Sequence, residues 1–406
     1  MKFHSTQEKP NSAADQLWNL AISLAIAWYL LLCLLHYLSG RSLWNDEFCI
    51  FLNIKQLQGQ EFFTKTLAAA QVFPRLYLFL IQKFSQIFDF HLLALRLPSF
   101  VCMLAAFLVW LKIASYEFKN KIDYLTFVLC WSASAILIYY SAELKQYSLD
   151  VLAACLFLIF LYHQERLENS SPPLRYLAIL MTLPALVLFS YAAYFFVLLP
   201  LYNLWLSAKE DKGRLRFLVT YAISFFVFGF LSYSFDIRLR PTQTLLQGWG
   251  DYFLSFDSVG DFFKTLGEGI RNLLSRWFVE RPKVLKYIGF FFVIGGFIQL
   301  FRGFFHNIKK DRYRLRSIHT VALVVFLELF SMGALKKYPF TVPRTSLFFC
   351  PVILFLTVQA IADLKARQVF LGRLLQGAFI YYLIFVSLGI SFFVFNKALT
   401  FRPVLW

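Results

Sequence analysis

The 406-residue chain is 59% hydrophobic and 20% aromatic, with 50 phenylalanines, and only 16% charged, against about a quarter charged in an ordinary soluble chain. That balance excludes a soluble globule. It also excludes disorder, which needs low hydrophobicity, and collagen or coiled coil, which need a repeat that is not visible here. The remaining class is an all-α, polytopic integral membrane protein, in which Lys and Arg in connecting loops, not nucleic acid, account for the formal net charge of +17.

A helix crosses the hydrocarbon on roughly 20 apolar residues. Windows of that kind begin near Leu17, Leu97, Tyr124, Ser148, Tyr176, Tyr194, Phe217, Tyr287, Ser317, Thr345 and Gln376, which predicts eleven spans. The first, 17–38, is too long for the apolar core of a signal peptide and has no small-residue cleavage site after it, so it reads as a retained span. Segment 76–90 is shorter and carries Gln82, Lys83, Ser85 and Gln86 in its middle. It is predicted to be an interfacial amphipathic helix.

The connectors 112–121, 164–175, 209–216, 302–316 and 365–373 are short and basic, and 302–316 alone holds six Lys/Arg. With eleven spans and a cytoplasmic N-terminus every one of them is cytoplasmic, whereas counting 76–90 as a span would put the later ones outside. The same reading sends the long segments 39–96 and 236–286, and the C-terminal Trp406, to the outer face of a plasma (cell inner) membrane. Within the second segment, 260–278 carries Phe263, Leu266, Ile270, Leu273, Leu274 and Trp277 on one helical face, with Lys264, Arg271 and Arg276 polar. That pattern predicts another interfacial helix, with Trp249 and Trp277 in the aromatic belt. Residues 1–406 read as one membrane-embedded domain, the helices from 287 onward being its more variable part. Cys33, Cys102, Cys130, Cys155 and Cys350 lie in apolar runs and only Cys49 near water, so neither a disulfide framework nor a Cys/His metal spacing is expected.

Three groups of residues could carry chemistry, all on the predicted outer face. The first is Trp44-Asn45-Asp46-Glu47, two adjacent carboxylates just beyond the first span. Asn45 as an N-cap with acids in the first turn explains them as helix capping; a general base or metal ligand is the functional reading, and the two are compatible. The second is Glu143, Lys145 and Tyr147 in a short connector followed by Asp150, where a local Glu143–Lys145 or Lys145–Asp150 pair is the structural explanation. The third, Lys336, Lys337 and Arg344, has three cations and no acid, which suits a lipid phosphate or simple headgroup contact. Arg75 and Arg96 flank the interfacial helix and join this cationic set. Glu328, inside the ninth span, is expected to be protonated or paired with a buried cation.

The order W-N-D-E (44–47), F-P-R-L-Y (73–77), L-R-L-P-S-F (95–100), Y-Y-S-A-E-L-K-Q-Y (139–147) and Y-P-F-T-V-P-R-T-S-L-F-F-C-P (338–351) resembles the GT-C polyprenyl-phosphate-sugar glycosyltransferases. Within them it looks most like the protein O-mannosyltransferase and aminoarabinose-transferase-like branch. The resemblance implies a membrane enzyme that moves a sugar from a polyprenyl monophosphate to a glycan, lipid or protein acceptor outside the cytoplasm, with inversion. Asp46 matches the family's catalytic carboxylate and Glu47 its acidic neighbour. Arg75 replaces the second Pro of a Pro-Pro-Leu-Tyr stretch, Lys145 and Tyr191 stand where Arg and His are common, and Arg344 matches a late-loop Arg. Arg75, Arg96, Glu143, Lys145, Tyr147, Tyr191 and Arg344 are thus the expected binding residues for lipid phosphate or sugar. No cofactor is required; if a divalent metal binds, Asp46 and Glu143 would hold it. A carrier of lipid-linked sugars is the alternative, but neither repeat symmetry nor paired broken helices are visible for it.

Overall fold

The computed structural model describes residues 13–278, 282–311, 313–339 and 342–396. The start of the chain, Phe340 and Thr341 of the late motif, and Trp406 lie outside the described residues, so the expected sides of the two termini are not addressed by it. Among the described residues all regular structure is helical. The chain is a polytopic membrane protein.

In chain order the helices are α1 (Ala13–Leu38), α2 (Asn45–Gln56), α3 (Arg75–Gln86), α4 (Leu92–Glu117), α5 (Lys121–Ser132), α6 (Ala135–Tyr140), α7 (Tyr147–Ser170), α8 (Pro173–Thr182), α9 (Ala193–Phe196), α10 (Leu198–Glu210), α11 (Leu215–Phe235), α12 (Thr242–Trp249), α13 (Val259–Ser275), α14 (Lys283–Lys310), α15 (Ile318–Ala334), α16 (Cys350–Arg367) and α17 (Val369–Phe395). Each predicted window is helical, but among the described residues seven helical stretches are long and apolar enough to cross a membrane: α1, α4, α7, α11, α14, α16 and α17, some with short flanks. Stretches Pro173–Leu188 and Ile318–Ala334 are shorter. The other two windows are divided, α5 from α6 at Ala133 and Ser134, and α9 from α10 at Val197. The first of these breaks is repaired from elsewhere: Ser134 Oγ donates to the Trp277 carbonyl (2.6 Å) and the Ala135 N–H donates to that of Phe278 (3.0 Å), as a backbone without water requires.

The core forms where α14 packs on α16, α4 on α7 and α1 on α5, around Trp110, Trp131, Phe107, Phe127 and Phe355. Glycine permits the closest of these approaches. A Cβ at Gly296 would sit 2.5 Å from Thr357 Oγ1, and one at Gly303 1.9 Å from the His319 ring, so α14 meets its neighbours backbone to side chain. Phe226 and Phe230 on α11, Phe291 and Phe305 on α14, and Phe370 and Phe392 on α17 face outward, as expected where the solvent is lipid.

Ion pairs bring the basic connectors to one end of the bundle. Lys121 pairs with Asp15 (2.8 Å), Lys365 with Asp123 (2.5 Å), Arg214 with Glu168 (3.4 Å), and Arg314 and Arg316 with Glu165, Arg314 also reaching Glu210. The opposite end carries α2 and α3. α3 is the predicted amphipathic helix; it buries Tyr77, Leu78, Ile81, Gln82 and Ser85, and Gln82 donates to the carbonyls of Ile54 and Leu57 at the end of α2. Gln82 and Ser85 thus find partners inside the protein, while Lys83 and Gln86 meet each other on the exposed face. In α13, Leu273 and Leu274 are buried, while Phe263 on the same face is 63% exposed.

Candidate active site

Glu47 is the hub of the end opposite the basic connectors. α2 begins at Asn45, with extended Trp44 as its cap, one residue earlier than the expected Asn45 cap. The reason is that the Glu47 carboxylate reaches back to the Trp44 N–H (3.4 Å), the acidic half of a capping box. Glu47 is fully buried and also accepts from Arg41 Nη1 (2.8 Å), Arg96 Nε (3.0 Å), Arg96 Nη2 (2.8 Å) and the Leu144 N–H (2.8 Å). Arg96 gives its other contacts to the carbonyls of Arg41 (2.6 Å) and Ser42 (3.3 Å). These bonds tie together the loop before α2, the start of α4 and the α6–α7 connector.

One residue earlier on the helix, Asp46 points elsewhere. Its side chain is 22% exposed, and Oδ2 receives Arg344 Nη1 at 2.8 Å and faces Lys145 Nζ at 4.0 Å. Lys145 also donates to Gln71 Oε1 (2.7 Å), and its burial lowers the pKa of the ammonium. The Arg344 guanidinium lies 4.9 Å from the Trp249 ring and 5.8 Å from that of Trp44. Trp44 Nε1 donates to Glu143 Oε1 (2.9 Å) while Glu143 Oε2 is buried without a hydrogen bond. Burial, reinforced by the negative charge of Glu47, pushes the Glu143 carboxyl up to about 7.

Neither expected local pair forms among the described residues. Glu143 and Lys145 turn to different partners, and Asp150 instead accepts from Ser190 Oγ (2.6 Å) and the Ala192 N–H (3.2 Å), which fixes the turn before α9 against α7. Tyr147 opens α7, buried and edge-on to Tyr140 at 5.1 Å.

Arg75 and Tyr191 belong to a second charged group. Arg75, 3% exposed at the start of α3, lies 3.8 Å from Asp236, and Arg240 reaches the other oxygen of Asp236 at 3.3 Å. The Arg240 guanidinium stacks over the Tyr191 ring at 4.2 Å. Glu328 makes no ion pair among the described residues.

No family model and no curated protein matches the sequence. The fold does resemble solved structures. It matches the crystal structure of ArnT from Cupriavidus metallidurans in the apo state with a TM-score of 0.51, at 13% identity, covering 97% of this chain and 73% of that one. The chain has a GT-C-like fold. The same enzyme bound to undecaprenyl phosphate gives a TM-score of 0.49 at 12% identity over the same shares.

The first group thus places a partly exposed carboxylate beside two buried cations, an arrangement suited to holding an anionic group next to a proton acceptor. Asp46 and Glu143, the expected metal pair, are engaged by cations and an indole respectively. Among the described residues no three His, Cys, Asp or Glu side chains gather as a metal site. The sequence reading missed Gln71, Asp236 and Arg240, and gave Trp249 only to the aromatic belt. Of these, only Arg240, beside Pro241 at the end of a span, carried a signal comparable to Arg344.

Proposed function

We propose that this protein transfers a sugar from a polyprenyl-phosphate donor to a hydroxyl-bearing glycan, lipid or protein acceptor, with Asp46 as general base. The observation that supports this most is the meeting of Asp46, Lys145 and Arg344, drawn from three separate segments onto one carboxylate. The donor phosphate takes Arg344 and Lys145 from Asp46, freeing its carboxylate for the acceptor. Asp46 then accepts the hydroxyl proton as the acceptor oxygen attacks the anomeric carbon. The bond to the phosphate oxygen breaks, and polyprenyl phosphate leaves with its electron pair, its charge held by the two cations. A single displacement of this kind inverts the anomeric centre. Glu47 and Arg96 act behind Asp46 as positioning residues, and the Arg75–Asp236–Arg240 group offers further charge for the donor.

The reading places the reaction on the extracytoplasmic face of the inner membrane, with the basic end and the N-terminus in the cytoplasm. Its test is Asp46→Asn, which retains size and first-turn capping but not the proton acceptor. Turnover per folded molecule, measured as release of polyprenyl phosphate, should fall by roughly 10²- to 10⁴-fold, while the melting temperature falls only because buried Arg344 loses its counter-charge. Wild-type turnover in that variant would overturn the assignment and move the base to Glu143.

A further inference from the structure

A cleft of about 580 Å³ opens along the basic half of α7, the helix whose other end carries Tyr147 and Asp150. It is lined by Tyr116 of α4, by α7 from Leu156 to Ser170, by Ser171, and by Ile179 and Leu183 of α8 and its continuation. Its long wall is apolar: Leu156, Ile159, Phe160, Leu167, Ile179 and Leu183. From Leu156 to Leu167 the wall runs roughly 16 Å at 1.5 Å per residue, close to half the roughly 30 Å hydrocarbon core, or one leaflet.

The end of the cleft nearest the connectors has a different character. Arg166, His163 and the hydroxyl residues Ser170 and Ser171 line it there, and Lys112 sits 5.1 Å from the ring of the lining residue Tyr116. Of the neighbouring acids, Glu165 is engaged by Arg314 and Arg316 and Glu168 by Arg214 and Ser207, while Glu117, beside Tyr116, turns to the Tyr162 hydroxyl. Arg166 and Lys112 make no ion pair among the described residues. An apolar trench one leaflet deep, capped by unpaired cations where headgroups lie, has the charge and length of a lipid tail with an anionic head.

We propose that this cleft binds one anionic glycerophospholipid, an acyl chain lying along α7 between α4 and α8 and the phosphate at Arg166. The site is separate from the donor-lipid site at the opposite end and does not depend on the proposed transfer reaction. It would fix α8, one of the two short expected spans, against α7 in a membrane whose thickness that helix does not itself match.

The test uses the full chain exchanged into an equimolar mixture of dioleoylphosphatidylglycerol and dioleoylphosphatidylcholine, with retained lipid read by native mass spectrometry. The wild type should retain phosphatidylglycerol in preference to phosphatidylcholine. Arg166→Gln, at an exposed side chain, should reduce that preference about fivefold, the equivalent of about 1 kcal/mol for one cation near a headgroup. Ile159→Trp, which fills the trench, should remove the retained lipid. A photo-crosslinking residue at position 159 should capture phosphatidylglycerol. Equal retention of the two lipids, an unchanged preference in Arg166→Gln, capture of a polyprenyl phosphate, or capture of a second copy of the chain would each overturn the proposal. If Ile159→Trp fails to fold, the Arg166→Gln result decides alone.

Discussion

Replacing Glu47 by Gln separates two accounts of the W-N-D-E motif. As a first-turn cap, the Glu47 carboxylate contributes about 1 kcal/mol, since its bond to the Trp44 N–H is long, at 3.4 Å. As the counter-charge of Arg96, it contributes far more: Arg96 is 1% exposed and delivers two of the short bonds to Glu47, with Arg41 and the Leu144 N–H adding the others. Gln keeps the shape and one accepting oxygen, but its amide faces the guanidinium groups with donors and leaves a buried cation uncompensated, a loss of about 3–5 kcal/mol. At roughly 2.1 cal/mol/K per residue over 406 residues, that lowers the melting temperature by about 4–6 °C. Thermal unfolding of the purified chain, followed by a thiol-reactive dye on its buried cysteines, measures it. The double variant Glu47→Gln with Arg96→Met should lose less than the two singles combined, by about 1 kcal/mol or more, because the charges are removed together. A melting temperature for Glu47→Gln within a degree of wild type would refute the hub, and with it the idea that Glu47 acts by holding Asp46 in place.

Arg344→Ala and Lys145→Ala should each raise the donor KM or lower turnover by roughly 10- to 100-fold, from about 1.5–3 kcal/mol per charge-assisted bond; unchanged kinetics in either would remove that residue from the site. Glu143 gives a pH signature. Its carboxyl, held at about 7 against 4.5 in the unfolded chain, keeps its proton in the native state over that interval, so the stability it contributes is present below pH 4.5 and is lost as pH rises through 7, by about 3 kcal/mol. In Glu143→Gln that decline between pH 4.5 and 7 should disappear from the melting profile. A cysteine placed at Lys310 should resist an impermeant thiol reagent in intact cells and react after lysis, and labelling in intact cells would invert the proposed orientation.

Much of the architecture was legible because apolar windows announce themselves: every predicted window is helical, and 76–90 was separable by its Gln and Lys residues. Helix length was less so. The interruption at Ala133 and Ser134 contains neither Gly nor Pro, and what satisfies it, the carbonyls of Trp277 and Phe278, lies far along the chain. One residue of each group, Asp46, Lys145 and Arg344, meets the others, yet the sorting of cations was hidden. Arg75, Arg96 and Arg344 look alike in sequence, but Arg96 is consumed by Glu47, Arg75 turns to Asp236, and only Arg344 meets Asp46. Which carboxylate each guanidinium reaches is decided by long-range packing that local spacing does not encode.

The repaired break between α5 and α6 also sets a schedule for biogenesis. Ser134 and its partner Trp277 are 143 residues apart, so at about 5–20 residues per second a ribosome needs roughly 7–30 s to supply the missing acceptors. Throughout that interval the Ala135 N–H has no native partner, and leaving it bare in hydrocarbon costs several kcal/mol. Until then that N–H is met only within its own helix or by water, and the segment following α13 supplies its native acceptor. A chain truncated before Trp277 would lack that closure.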